Sequence, residues 1–313
     1  MKKLLVIGGT GLVGSKLLSL ASKHGSEALS THNARQVTTH NSSRLDVTDR
    51  HSTLDLIENV RPDVIVDTHA LHNVDYCETH REEASKVNVE GTRNLVDGAA
   101  KTNSRFLYVS TDYVFDGRKG NYREEDAPNP LHYYAQNKVE AERIVASLPS
   151  FIISRPSVIY GWNPLERSGT PSSSGKTINF AMFILDKFEK KETVKAVNDQ
   201  YSSPTLADNL AEALLRLATM KVNGVYHTAG RSCVSRYEFA VKAAQIFDYP
   251  TSLVQPVSST DFKQVAERPR NSCLSVEKAE RTLGMKFMTI EEGLREMRIQ
   301  YPKDWASTPM SSN

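Results

Sequence analysis

The chain has 313 residues, which suits one large domain or two smaller ones, and its 39 % hydrophobic and 24 % charged residues suit a globular rather than a disordered protein. Lys plus Arg number 39 and Asp plus Glu 37, a net charge of +2, so no general attraction to nucleic acid or to an anionic membrane is expected. No apolar run approaches the roughly 18 residues of a membrane span, and Gly8 and Gly9 cut the Leu4 to Ile7 run short of the about 7–15 apolar residues a signal peptide needs.

Leu4 to Ile7 reads as a buried strand, and a glycine turn leads from it into a helix, Ser15 to His24. Leu17, Leu18 and Ala21 recur there at helical spacing, and Gly25 closes it as a C-cap. Glu27 to Thr31 is a second strand. Asp49 caps a helix that carries Leu54, Ile57 and Val60 on one face and stops at Pro62. Val64 to Val66 is strand, Glu82 to Lys101 a long amphipathic helix, Phe106 to Ser110 strand, His132 to Ser147 helix and Phe151 to Ile153 strand. Strands separated by helices of this length imply parallel pairing with right-handed crossovers. The expected fold is therefore α/β, a doubly wound parallel sheet (Rossmann) with a smaller, discontinuous C-terminal substrate domain.

After Tyr160 the pattern changes. Residues 163–176 are rich in Ser, Gly and Pro and read as a loop, lid or surface insertion. Helices are expected at Thr177 to Lys190, Asn209 to Met220 and Tyr237 to Phe247, with a late strand at Val225 to His227 and a frayed tail from Trp305. The expected division is 1–160 with about 195–230 for the dinucleotide, and about 161–194 with 231–313 for the substrate. Helices 82–101 and 132–147 would supply the face of a homodimer. The cysteines (Cys77, Cys233, Cys273) are odd in number and scattered. They are expected to form neither a disulfide framework nor a metal set, which points to a reducing, cytoplasmic compartment.

Gly8-Gly9-Thr10-Gly11-Leu12-Val13-Gly14 lies between an apolar strand and an apolar helix. Glycine allows the tight turn and the close approach of a pyrophosphate to the free N–H groups at a helix start. An acid about 20 residues on would hold a ribose 2′-hydroxyl. Here the stretch is Ser30 to Arg35 without an acid, and Arg35, helped by His32 or Asn33, suits a 2′-phosphate. NADP(H) is the expected cofactor, with NAD(H) as the alternative. Asp46, with Val47 beside it, is placed to accept the adenine amino group.

Tyr134 and Lys138 stand at i and i+4 of a helix and so share one face. A neighbouring ammonium favours a phenolate, so Lys138 is expected to lower the Tyr134 pKa. Ser110-Thr111-Asp112 and Arg155 to Gly161 each follow a strand, at the carboxyl edge where doubly wound sheets bind ligands. A hydroxyl from Ser110 or Thr111 would steady a developing oxyanion. His69 and His72, with Asp75, lack a fourth metal ligand, and no carboxylate cluster marks a Mg2+ site.

GGTGLVG, STDYVFDG, Tyr134-x-x-x-Lys138 and RPSVIYG, in this order, resemble an extended short-chain dehydrogenase/reductase. Asp199 to Thr205, Arg268 to Ser272, and Asn73 to Glu78 with Val87 to Thr92 are similar to the dTDP-4-dehydrorhamnose reductase branch. That resemblance implies NADPH-dependent reduction of the 4-keto group of a nucleotide-linked 6-deoxy sugar. It implies a catalytic triad of Thr111, Tyr134 and Lys138. Cofactor contacts would come from Gly8, Thr10, Gly11, Leu12, Val13, Asp46, Val47, Ala70, Leu71, Tyr134, Lys138 and Pro156. Asp112, Asn179, Gln200, Thr205 and Arg268 would lie toward the sugar nucleotide. The chain departs from the branch at Asp67-Thr68-His69-Ala70, where an asparagine and small residues are usual, and at Val158, where tryptophan is frequent. A sugar-nucleotide epimerase is the nearest alternative, and Tyr113 after Asp112 argues against dehydration because the second carboxylate is missing. A further alternative is a non-catalytic, NADP-binding regulatory subunit, since the methionine adenosyltransferase beta subunit resembles the same branch.

Overall fold

The computed structural model describes residues 2–33, 42–162, 178–261 and 264–300. Arg35, the 163–176 insertion and the tail from Trp305 lie outside them. In chain order the first elements are β1 (Lys2–Ile7), α1 (Leu12–Ala21), β2 (Ser26–His32), β3 (Ser42–Arg44), α2 (Arg50–Val60), β4 (Val64–Asp67), α3 (Val74–Thr79), α4 (Arg81–Ser85), α5 (Gly91–Thr102), β5 (Arg105–Val109), α6 (Tyr133–Val145) and β6 (Phe151–Arg155). They are followed by β7 (Ile159–Tyr160), α7 (Phe180–Glu189), β8 (Val194–Val197), β9 (Tyr201–Ser202), β10 (Thr205–Leu206), α8 (Ala207–Thr219), β11 (Gly224–His227), β12 (Val234–Ser235), α9 (Arg236–Ile246), β13 (Val254–Val257), α10 (Glu277–Leu283) and α11 (Ile290–Ile299).

A seven-stranded sheet runs in the order β11-β6-β5-β4-β1-β2-β3, and every pairing in it is parallel. The expected doubly wound sheet is thus observed, and the strand order reverses between β1 and β4. The strands are near-continuous apolar runs because helices cover both faces. Leu4, Val6, Val64, Val66, Leu107 and Ile152 face α1 and α8, while Leu5, Ile65, Phe106, Tyr108 and Ile153 face α2, α5 and α6. A separate core gathers Trp162, α7, β8, α9, β13 and α11. Strand β8 pairs with β13 there.

Local signals explain most boundaries. Asp49 accepts the Ser52 N–H and caps α2 as expected, and Arg61 ends that helix in the left-handed region. The single helix expected over 82–101 is instead α4, a π turn at Lys86–Glu90, and α5. At the same place the Asn88 side chain bonds both the N–H and the carbonyl of Leu71. That anchors the loop after β4.

The cysteine expectation is overturned. Cys233 and Cys273 form a disulfide with their Cα atoms 5.5 Å apart, while Cys77 is buried outside it and its thiol donates to the Leu71 carbonyl. Their separation of 40 residues hid the pairing in the sequence; the β12–β9 ladder and the Tyr201–Asn271 bridge bring them together. The cysteines therefore no longer argue for a reducing compartment. Closing a loop of this size stabilises by about 2–4 kcal/mol. The Cys233→Ser/Cys273→Ser double variant is expected to lose that amount in denaturant titration, and added reductant should change the parent but not the variant.

Candidate active site

The glycine turn follows β1 at the carboxyl edge, beside the point where the strand order reverses, which is where such sheets leave a ligand crevice. Gly8 has φ +80, and the Gly11 N–H returns to the Gly8 carbonyl at 3.0 Å. A Cβ on Gly14 would lie 2.3 Å from the Gly8 carbonyl oxygen, so only glycine lets α1 pack on its own turn. Gly11 is the N-cap of α1 and supplies no side-chain acceptor, which leaves the N–H groups of the first turn to a ligand. This cradle fits a dinucleotide diphosphate. Thr10 and Leu12 are half-buried at its rim and Val13 is buried beneath.

Other expected cofactor residues ring the same edge. Asp46 is exposed, and its Oδ1 accepts from the N–H and hydroxyl of Thr48, an Asx-type turn that fixes its position. Val47 is 8 % exposed and packs where a Cβ on Gly91 would strike it. His32 ends β2 with its Nδ1 2.8 Å from the Ser42 hydroxyl. Ala70 and Leu71 lie in the loop pinned by Asn88. The Pro156 carbonyl accepts the Asp112 N–H.

His132 is the N-cap of α6, accepting the Ala135 N–H on Nδ1, and burial pushes its pKa down to about 4. It opens the helix that presents Tyr134 and Lys138, which are 7 % and 1 % exposed. Lys138 Nζ donates to the Val109 carbonyl at 2.8 Å and sits 4.0 Å from the centre of the Tyr108 ring. Burial pushes its pKa down to about 8, with Asp67 and Glu142 pulling the other way. Burial raises the Tyr134 pKa, with the charges of neighbouring acidic groups adding to it. The expectation that Lys138 lowers this pKa is thus not met: desolvation wins and keeps the phenol protonated.

Thr111 lies at the end of β5. Its hydroxyl donates to Asp112 at 3.2 Å and accepts the Tyr113 N–H. The Ser110 hydroxyl is buried and has no partner. Asp112 is 2 % exposed and takes hydroxyls from Thr111, Ser157 and Ser272. Burial raises its pKa against those three bonds. Asp112 thus fixes the position of the Thr111 hydroxyl. Thr205 is equally enclosed, 1 % exposed and bonded to Ser157 and Ser203. Asn179 caps α7 and donates to the Gly161 carbonyl.

Gln200 and Arg268 do meet, in a small cleft of about 20 Å³ that they line with Tyr113, Val158, Tyr201 and Arg236, among others. Arg268 is held by Asp75 at 3.0 Å and by the Ala266 carbonyl. Arg236 was not singled out in the sequence. Its Nη1 is buried without a partner among the described residues, and it opens α9 directly behind the Ser235 cap. Val158 has φ +39, a strained geometry for a β-branched residue, at the wall of this cleft. A larger opening of about 510 Å³, lined by Pro128, Pro130 and the outer face of α6, holds none of the chemistry-bearing groups.

The RmlD substrate binding domain family matches residues 1–301. The dTDP-4-dehydrorhamnose reductase of Aggregatibacter actinomycetemcomitans is 32 % identical over 315 residues, covering 95 % of this chain and 99 % of that one. Methionine adenosyltransferase 2 subunit beta of Bos taurus is 32 % identical over 320 residues, covering 98 % and 91 %. The crystal structure of a dTDP-4-dehydrorhamnose reductase from Bacillus anthracis in complex with NADP superposes with a TM-score of 0.84 at 25 % identity, covering 96 % of this chain and 99 % of that one.

Proposed function

The chain belongs to the RmlD substrate binding domain family, and on that premise we propose that it is an NADPH-dependent reductase of the 4-keto group of a nucleotide-linked 6-deoxy sugar. One observation carries the reading. A buried, protonated phenol and a buried lysine stand on one helix face at the sheet edge that holds the glycine cradle, and a cleft with two arginines adjoins that edge.

The Gly8–Val13 turn would hold the diphosphate of NADP(H), with Ala70, Leu71 and Pro156 along its length and Asp46 and Val47 at the adenine. Bound there, the cofactor supplies a hydride. Tyr134 donates the proton to the carbonyl oxygen, and the direction of its pKa shift suits this role, because a reductase needs the phenol and not the phenolate before reaction. Lys138, one helical turn away, stabilises the phenolate left behind and holds ribose hydroxyls. Thr111 would donate to the same oxygen when its single hydroxyl hydrogen turns from Asp112 toward the substrate. Arg236 and Arg268 suit the planar, bidentate oxygens of a nucleoside diphosphate.

The proposed cofactor half is 1–160 with about 195–230, narrowed at its start to about 198, and it also takes in Leu274 to Phe287, which share its core. That boundary follows β8, which pairs with β13 in the other core. Among the described residues no helix is long and apolar enough to cross a membrane, and the proposed working form is a homodimer.

A panel of nucleotide-linked 4-keto sugars assayed for NADPH oxidation tests the proposal. Stimulated oxidation by at least one member is expected. The equal identity to a methionine adenosyltransferase beta subunit supports a second reading, a regulatory NADP-binding subunit. Tight NADPH binding with no stimulated oxidation across the panel would favour it. Equal affinities for NADH and NADPH at one salt concentration would remove the NADP preference.

A further inference from the structure

Asp67 ends β4 at the carboxyl edge, and its register partner on β5 is Tyr108. Register partners in neighbouring strands present their side chains on the same sheet face. Lys138 Nζ lies over the Tyr108 ring on that face, so carboxylate and ammonium share it, near enough for the Asp67 charge to favour the ammonium. The hydrogen-bond inventory is incomplete on both. Lys138 has three donors, of which the Val109 carbonyl takes one and the Tyr108 ring a second. Asp67 is 0 % exposed; its Oδ1 accepts from the His69 backbone N–H and from Nδ1, and its Oδ2 is buried with no partner.

His69 completes the arrangement. Its Nε2 lies 3.0 Å from the Val87 carbonyl, which can only accept, so Nε2 carries hydrogen. Its Nδ1 lies 2.5 Å from Asp67 Oδ1, so a second proton sits between ring and carboxylate. Burial works against a charged ring here, yet the charge and hydrogen bond of Asp67 hold the His69 pKa above its ordinary value. The His69 backbone also abuts the cradle, where a Cβ on Gly8 would touch it, and its ring lies against α5, where a Cβ on Gly91 would meet Nε2.

Resting on the reductase reading above, we propose that Asp67 and His69 are positioning residues for Lys138, a buried carboxylate–imidazolium pair that sets how long the catalytic lysine keeps its proton and so its grip on the cofactor. The two members act in opposite senses. Asp67 favours the ammonium, while His69 disfavours it by charge and by engaging one carboxylate oxygen. The other groups facing Lys138 are Tyr108 from β5 and Tyr134 and Glu142 from α6, and Glu142 is already paired with Arg155.

The test is NADPH affinity against pH for the full chain and for Asp67→Asn and His69→Asn, with the His69 ring nitrogens of the parent followed by NMR. In the parent, affinity should fall as the pH passes about 8. Asp67→Asn should move that fall to lower pH by about one unit or more, the scale of one adjacent opposite charge. His69→Asn should move it upward. Equal shifts in both variants, or none, would overturn the proposal, since a merely structural role moves both alike. The NMR arm needs neither variant to fold: protons on both His69 nitrogens at neutral pH support the pair, and a neutral ring refutes it. Neither arm uses a sugar substrate, so failure of the sugar panel and failure of this pair are separate results.

Discussion

Tyr134→Phe is expected to cut turnover by about 10²–10⁴, the scale of one acid–base group, while NADPH affinity stays nearly unchanged. The substitution removes only the hydroxyl. The ring remains packed with Leu71, Val74 and Cys77, so the fold and the glycine cradle should persist. Steady-state kinetics on a 4-keto sugar nucleotide that the parent reduces, with cofactor binding measured separately, checks both halves. Retained turnover would take Tyr134 out of the mechanism. Lost binding would mean that the hydroxyl holds the cofactor as well as supplying a proton.

Lys138→Met is expected to weaken cofactor binding, to lower turnover by about 10²–10³, the usual loss for one preorganised electrostatic donor, and at the same time to stabilise the fold. The stability half follows from burial. Lys138 is 1 % exposed and its folded pKa, about 8, lies below the ordinary 10.5. A group whose charged form is disfavoured by folding destabilises most when charged in both states. That penalty is therefore full below about pH 8 and fades as the pH rises toward 10.5. Methionine fills the stem without the charge, which removes the desolvation cost that the lowered pKa reflects, about 1.4 kcal/mol for each pKa unit. The Val109 carbonyl loses its donor, which offsets about 1 kcal/mol. Melting curves at pH 7 should show the variant above the parent, and the gap should narrow as the pH approaches 10. A destabilised variant would mean that the ammonium is better solvated by its surroundings than its burial implies.

The fold was legible because its signals are local. Apolar runs such as Leu4 to Ile7 and Val64 to Val66 are read directly as strands buried on both faces, and the intervening helices carry their own periodicity and caps. The parallel order then follows from crossover length. Strand β8 and its partner β13 were not legible, since their pairing joins residues about 60 apart and neither run is long. The disulfide was hidden for the same reason.

In the site, Tyr134, Lys138 and the glycine turn could be placed from spacing alone. The direction of the Tyr134 shift could not, because spacing shows the lysine but not how completely both groups leave water. Asp112 and Thr205 were expected toward substrate; Asp112 is held by hydroxyls that include those of Ser157 and Ser272, and Thr205 donates to the carbonyls of Ser157 and Ser203, partners that the sequence does not place together. Arg236 carried a faint signal, an arginine just behind a Ser cap, without meaning until Arg268 stood opposite it. Asp67 and His69 were visible as a departure from the family pattern, but only the register with Tyr108 shows what they face.

The most direct measurement is isotopic. The protein is incubated with NADPH deuterated at the transferable position and a nucleotide-linked 4-keto-6-deoxy sugar, and the product is analysed by mass spectrometry and NMR. The account predicts one deuterium on the former carbonyl carbon, with NADP+ formed in equal amount. Unreacted sugar, with all label still in the cofactor across the substrate panel, would contradict it.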